Sequence, residues 1–251
     1  MQPSIDAFVQ DREDFIEIGK ATIAASLIPY EHKSDLMKRD FEMHMDLQGK
    51  RWYEYLLNLL GTRAEFQKNN LSIITFNYDR SLEFFLFNAI KPRFHLNDQG
   101  AAEFIESIPI MHIYGQLGKP NFVEANGRDY DSQVTAESLD KSIKEIYLIH
   151  ENQDEARIFA EADEAYTMIQ NAHLLIFMGF GYHEKNIERL RLREYYKGEA
   201  IIGTFYGRAP GEIERDIAII KTYSGTGNDS IPIKEYYDAA LDFLKNTNYL
   251  K

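Results

Sequence analysis

Cysteine is absent from this chain of 251 residues, which excludes disulfides and cysteine-ligated zinc. Long apolar runs are missing as well: no uninterrupted apolar segment approaches the roughly 20 residues that a bilayer-spanning helix needs. Near Met1, the residues Gln2, Pro3, Asp6, Gln10 and Asp11 interrupt anything resembling a secretory signal core. These absences lead us to expect a soluble, cytoplasmic protein without a membrane partner. Basic charge is also scarce, with 28 Lys plus Arg against 40 Asp plus Glu, for a net charge of −12. Such a surface repels a phosphate backbone, so direct nucleic-acid binding is not expected. No internal repeat or low-complexity tract interrupts the chain.

What remains is ample for a core: 44% of the residues are hydrophobic, with 16 Tyr and 16 Phe. We read 1–251 as a single domain, in which 1–65 is mainly helical and 66–251 alternates strands with helices. Over residues 4–31 the spacing of Phe8, Phe15, Ile16, Ile18, Ile23 and Leu27 predicts a long helix or a broken pair ended by Pro29. Trp52, Tyr55, Leu56, Leu59 and Leu60 mark a second helix, closing at Gly61. Strands are expected at 71–75, 108–113, 173–178 and 200–205. Helices are expected at 81–90, 137–145, 154–170, 184–196, 211–221 and 236–245. Such alternation implies parallel β-α-β units, and hence an α/β fold with a doubly wound, mostly parallel Rossmann-like sheet.

Three strand ends carry polar or glycine-rich residues where an open α/β sheet binds ligands. In the first, the apolar run Leu71–Thr75 gives way to Phe76, Asn77, Tyr78 and Asp79 before a helix. An Asn-x-Asp there also reads as a helix cap. In the second, Met111-His112-Ile113-Tyr114-Gly115, alternation puts His112 and Tyr114 on one strand face, and Gly115 permits close backbone approach. A core histidine at a glycine turn is the blander reading. In the third, Leu174–Met178 breaks at Gly179-Phe180-Gly181 and reopens as a helix near Glu184, with Asn186 in its first turn. Amides at that helix start suit phosphate or a ribose hydroxyl. The full dinucleotide fingerprint is not met, because Glu184 stands where its third glycine belongs and Phe205-Tyr206-Gly207 ends the next strand without an acid. Neither His150-Glu151 nor His183-Glu184 has a second histidine at metalloprotease spacing, and no metal site is expected.

Taken in order, Thr75-Phe-Asn-Tyr-Asp79, His112-Ile-Tyr-Gly115 and Gly179-Phe-Gly-Tyr-His-x-x-Asn186 resemble the sirtuin-like NAD-binding domain, in the divergent branch found in bacterial anti-phage defence proteins. The resemblance runs from about Ser4 to Tyr206. It implies an NAD+ hydrolase that releases nicotinamide and ADP-ribose, depleting NAD during phage infection. NAD would be the substrate, with no metal. Thr75, Phe76, Asn77 and Asp79 would face the nicotinamide ribose. His112 or Tyr114 would contact the ribose hydroxyls, and Gly115, Gly179, Phe180, Gly181 and Asn186 would shape the nucleotide pocket. A homo-oligomer or a defence partner, an ATPase of helicase type or an Argonaute-like protein, is implied as well. Two departures stand out. Tyr114 occupies the place of the family's basic histidine. The family's opening strand and Gly-rich phosphate loop have no counterpart before Ser4, so the expectation is a truncated chain, an internal start, or completion by another polypeptide. The alternative reading is a non-catalytic module that senses NAD or an NAD-derived signal, or holds a defence partner.

Overall fold

A computed structural model describes residues 13–37, 48–148, 155–225 and 231–250. In chain order its helices begin with α1 (Ile16–Leu27), α2 (Lys33–Met37), α3 (Gln48–Leu59) and α4 (Arg63–Phe66). Then follow β1 (Ile73–Thr75), α5 (Ser81–Phe94), α6 (Asp98–Ile105), β2 (Ile110–His112), α7 (Ala136–Ile143) and α8 (Glu155–Asn171). The remainder comprises β3 (Leu174–Phe177), α9 (Glu184–Arg189), α10 (Leu192–Tyr195), β4 (Ala200–Thr204), α11 (Pro210–Ser224), β5 (Ile233–Tyr236) and α12 (Ala240–Asn246). The fold is mixed α/β. The chain groups into two compact units, Met1–Met45 with Gly61–Ala156 and Asp46–Leu60 with Arg157–Lys251.

In the first unit β1 and β2 pair in parallel, with Ile73 opposite Ile110 and Thr75 opposite His112. Both strands are shorter than their apolar runs. The Leu71 N–H is taken by the Asn69 side chain, the Ile108 N–H closes the end of α6 on Ile105, and Pro109 has no N–H to give. The ladder therefore starts where Ile73 N–H reaches the Pro109 carbonyl. Helix α5 buries Leu82, Phe85, Leu86, Phe87 and Ile90 and runs on to Phe94. It ends on His95, whose backbone is left-handed. Helix α6, absent from the sequence reading, has a clear origin: the Asn97 side chain caps it through the Gly100 N–H, and Ala101, Phe104 and Ile105 form its buried face. Helix α1 presents Ile16, Gly19, Lys20 and Ala24 inward, with Ile23 and Leu27 packed beside them; of the expected stripe, Phe15 and Ile18 instead face outward, 42% and 60% exposed. Its inner face joins Ile28, Leu117, Ile146 and Leu148 in one apolar cluster. Phe8 lies outside the described residues.

In the second unit β3, β4 and β5 form a parallel sheet in sequential order. All five residues of β4 are buried, as its unbroken apolar run requires of a central strand. Strand β5 was not expected. Residues 233–236 alternate poorly, but the carbonyls of Pro232 and Tyr236 accept from Ile201 and Phe205, which pairs the segment to β4. The terminal helix consequently starts at Ala240, not Tyr236. The expected helix over 184–196 breaks in two at Arg191, whose φ is 46°. Trp52, Tyr55 and Leu59 of α3 pack with Ile202, Phe243 and Leu244, so that aromatic stripe is core. Among the described residues, no helix is long and apolar enough to cross a membrane.

Candidate functional site

The Thr75–Asp79 segment is a turn fixed by its backbone. Thr75 Oγ1 accepts from the Asn77 N–H at 3.1 Å, and the Tyr78 carbonyl accepts from the Leu117 N–H at 2.8 Å. Asp79 Oδ1 accepts from the Ser81 N–H at 3.1 Å, an Asx turn that opens α5. The capping interpretation thus holds for one oxygen of Asp79. Its second oxygen, and the whole exposed carboxamide of Asn77, make no hydrogen bond among the described residues. A rigid turn at the carboxyl end of a parallel strand therefore presents an amide and half of a carboxylate unused.

His112 underpins this turn. Its Nδ1 lies 2.7 Å from the Asn77 carbonyl oxygen, which can only accept, so Nδ1 carries a proton. Its Nε2 lies 2.5 Å from Glu83 Oε1 in a buried ion pair. Burial opposes the charge on the ring. The charge and hydrogen bond of Glu83, the Asn77 carbonyl and the charge of Asp79 outweigh it and raise the His112 pKa above the ordinary 6.5. While the ring is protonated both nitrogens donate, and the imidazolium has no lone pair for a general base to use.

The raised pKa has a thermodynamic consequence. The folded chain holds a proton that the unfolded chain releases first, so this contribution is complete below about pH 6.5 and is lost as pH climbs through the folded pKa of His112. Denaturation midpoints of the native protein should therefore fall as pH rises above that point. Glu83→Gln, which deletes the partner charge, should flatten the slope; midpoint-against-pH curves of the two proteins decide.

Tyr114 does not continue the strand face of His112. Strand β2 stops at His112, and the Gly115 N–H closes a turn on the His112 carbonyl. The Tyr114 ring is buried edge-on against Phe76, with centroids 5.6 Å apart. Gly115 has φ 71°, and a Cβ there would collide with the Glu145 carbonyl oxygen. Its lack of a side chain thus serves the chain's own backbone, which bridges to Ile146.

The second unit holds Gly179, Phe180, Gly181 and Asn186. Gly179 has φ 62° and donates its N–H to Thr204 Oγ1 at 2.9 Å. Gly181 needs no positive φ, and a Cβ at either glycine would meet nothing within 4 Å. Packing therefore does not require a glycine at 181. Phe180 lies half-buried among Phe177 and Tyr182, and half-buried Asn186 closes the first turn of α9 on the His183 carbonyl. So the structure gathers Thr75, Phe76, Asn77, Asp79, His112, Tyr114 and Gly115 in the first unit, and the remaining four in the second.

A small separate cleft in the first unit, lined by Arg80, Phe84, Phe122, Arg128 and Tyr130 among others, contains none of these residues. Beside it the Arg80 and Arg128 guanidiniums converge on Glu31. Sequence reasoning missed Glu83, although an acid in phase with Leu86, Phe87 and Ile90 on an apolar helix face signals a buried partner. Asp216 on α11, in phase with Ile213 and Ile220, carries the same signal. Comparison with known proteins yields no match: no protein family, curated protein or solved structure corresponds to this chain.

Proposed function

We propose that this chain is an NAD+ hydrolase of the sirtuin-like type, built on a doubly wound Rossmann-like plan. The observation that carries the proposal is the pinned Thr75–Asp79 turn, with the Asn77 carboxamide and one Asp79 oxygen unused. The chemistry suits those groups. The bond between ribose C1′ and the nicotinamide nitrogen breaks with its electron pair leaving on nicotinamide, which loses its positive charge without protonation. Positive charge develops on the ribose, where a carboxylate stabilises it and an amide orients the attacking water. Water adds to C1′ and releases a proton, giving ADP-ribose. In this reading Asp79 faces the developing cation, Asn77 positions water or ribose, and His112 holds the turn. The Gly179–Gly181 turn of the second unit is assigned to nucleotide recognition. Anti-phage defence by NAD depletion, with an oligomeric or partner-gated trigger, follows from the motif resemblance.

The occupied nitrogens of His112 and the burial of Tyr114 favour a second reading, a nucleotide-binding module without turnover. Incubating the chain with NAD and quantifying nicotinamide separates the two. Release of nicotinamide and ADP-ribose in equal amounts is expected. An NAD-dependent rise in melting temperature without release would support the binding module, and neither response would remove both.

A further inference from the structure

Behind the Gly179–Gly181 turn stands a charged pair that the proposed chemistry does not use. Arg208 donates from Nη2 to the Gly181 carbonyl at 2.7 Å, and its Nη1 lies 2.8 Å from Oδ2 of the wholly buried Asp216. That ion pair lacks hydrogen-bond alignment, because Asp216 Oδ2 has no hydrogen-bond partner, while Oδ1 meets Arg215 at 3.4 Å. A buried ion pair contributes little net stability once its desolvation is counted, so the pair has a geometric role to explain.

The turn itself is under backbone strain. Tyr182 is a bulky residue at φ 53°, a conformation that persists only where the surroundings over-determine it and that clusters at ligand clamps. The carboxyl end of β4 supplies those surroundings. Tyr182 OH donates to the Thr204 carbonyl at 3.1 Å, its ring stacks on Phe205 with centroids 4.8 Å apart, and the Arg208 guanidinium covers the ring at 5.6 Å. Gly181 itself has open space beside it and an N–H with no hydrogen bond among the described residues. The turn is thus clamped through its carbonyl and the Tyr182 ring, while Gly181 keeps an unused donor and room for a ligand.

We infer that Arg208, anchored by Asp216, is a positioning residue that sets the ligand-facing shape of the Gly179–Gly181 turn for the phosphate or ribose oxygens of a nucleotide. The inference rests on the nucleotide reading of that turn. Arg208 touches the turn's carbonyl rather than the reacting bond, so it governs binding and leaves the bond-breaking step alone.

The test uses the full chain, with initial rates of nicotinamide release across a range of NAD concentrations, and ADP-ribose affinity by calorimetry. R208K keeps a cation opposite Asp216 and should melt like the native protein, whereas R208A strands a buried carboxylate and is the variant at risk of unfolding. For R208K, KM for NAD should rise about tenfold, and the ADP-ribose Kd in step, with kcat within about twofold, as expected when an interaction common to ground and transition states is lost. R208K with native KM and native Kd overturns the clasp, as does a fall in kcat with KM unchanged. A native chain that neither releases nicotinamide nor binds ADP-ribose overturns the nucleotide reading, and the clasp with it.

Discussion

Glu31→Ala should cost the first unit about 3–5 kcal/mol of stability, the range found when one partner of a buried charge cluster is removed. Glu31 is 2% exposed, Arg80 1% and Arg128 4%. Glu31 receives Arg80 through both carboxylate oxygens, at 3.1 and 2.7 Å, and Arg128 through Oε2. Its removal leaves two buried guanidiniums facing one another without the carboxylate that both of them bind. Burial and the neighbouring Arg80 already pull the Arg128 pKa below the ordinary arginine value, with Glu31 opposing them. Urea denaturation of the native and E31A proteins measures the loss; a difference under about 1 kcal/mol would show that the cluster is not what holds this unit together.

The position of these charges explains the size of the effect. Residues 113–135 form a long irregular connection, which in a compact fold needs ties of its own. Arg80 supplies several, donating from Nη1 to the carbonyls of Gly118 and Arg128 and from Nη2 to that of Asp129. Arg128 adds bonds to the Leu117 and Asp131 carbonyls. Arg80 immediately follows Asp79, so the same cluster that fastens the loop also anchors the end of the candidate turn. Arg128→Met should therefore be milder than E31A, since it leaves the Glu31–Arg80 pair matched.

The long, strongly patterned elements were legible in the sequence: α5, α8, β4 and α11 appear within a few residues of their expected bounds. Elements decided by a single capping or pairing event were not. Helix α6 depends on the Asn97 cap, and β5 on hydrogen bonds to β4 that no local pattern encodes. The stripe on α1 was legible in part, with Ile16, Ile23 and Leu27 in the cluster and Phe15 and Ile18 outside it. Apolar residues outnumber the positions one face can hold, and Gly19 and Ala24 mark the side where close packing occurs. At the candidate site the turn at 75–79 was readable because an apolar strand ended in two polar side chains. The partnership of His112 with Glu83 was not, since it joins residues 29 apart in sequence. That partnership is what changes the chemistry, because it ties both ring nitrogens of His112 to the protein rather than to a ribose hydroxyl.

Asn77→Ala should lower nicotinamide release by about 10²–10³-fold, the scale of losing one preorganised polar group at a developing charge. The same substitution should leave the fold untouched, within about 0.5 kcal/mol. The structure supplies the reason for this separation. The side chain is exposed and makes no hydrogen bond among the described residues, while the bonds that fix the turn use the backbone N–H and carbonyl of residue 77, which alanine retains. Residue 77 is not among those with positive φ, so alanine meets no backbone strain. Asp79→Asn is the companion measurement: an asparagine oxygen can still cap the Ser81 N–H, so the helix start survives while the negative charge disappears. If the turn were only a helix cap, both variants would behave as the native protein does. If it faces the ribose, both lose turnover while melting normally, and N77A releasing nicotinamide at the native rate would sink that assignment.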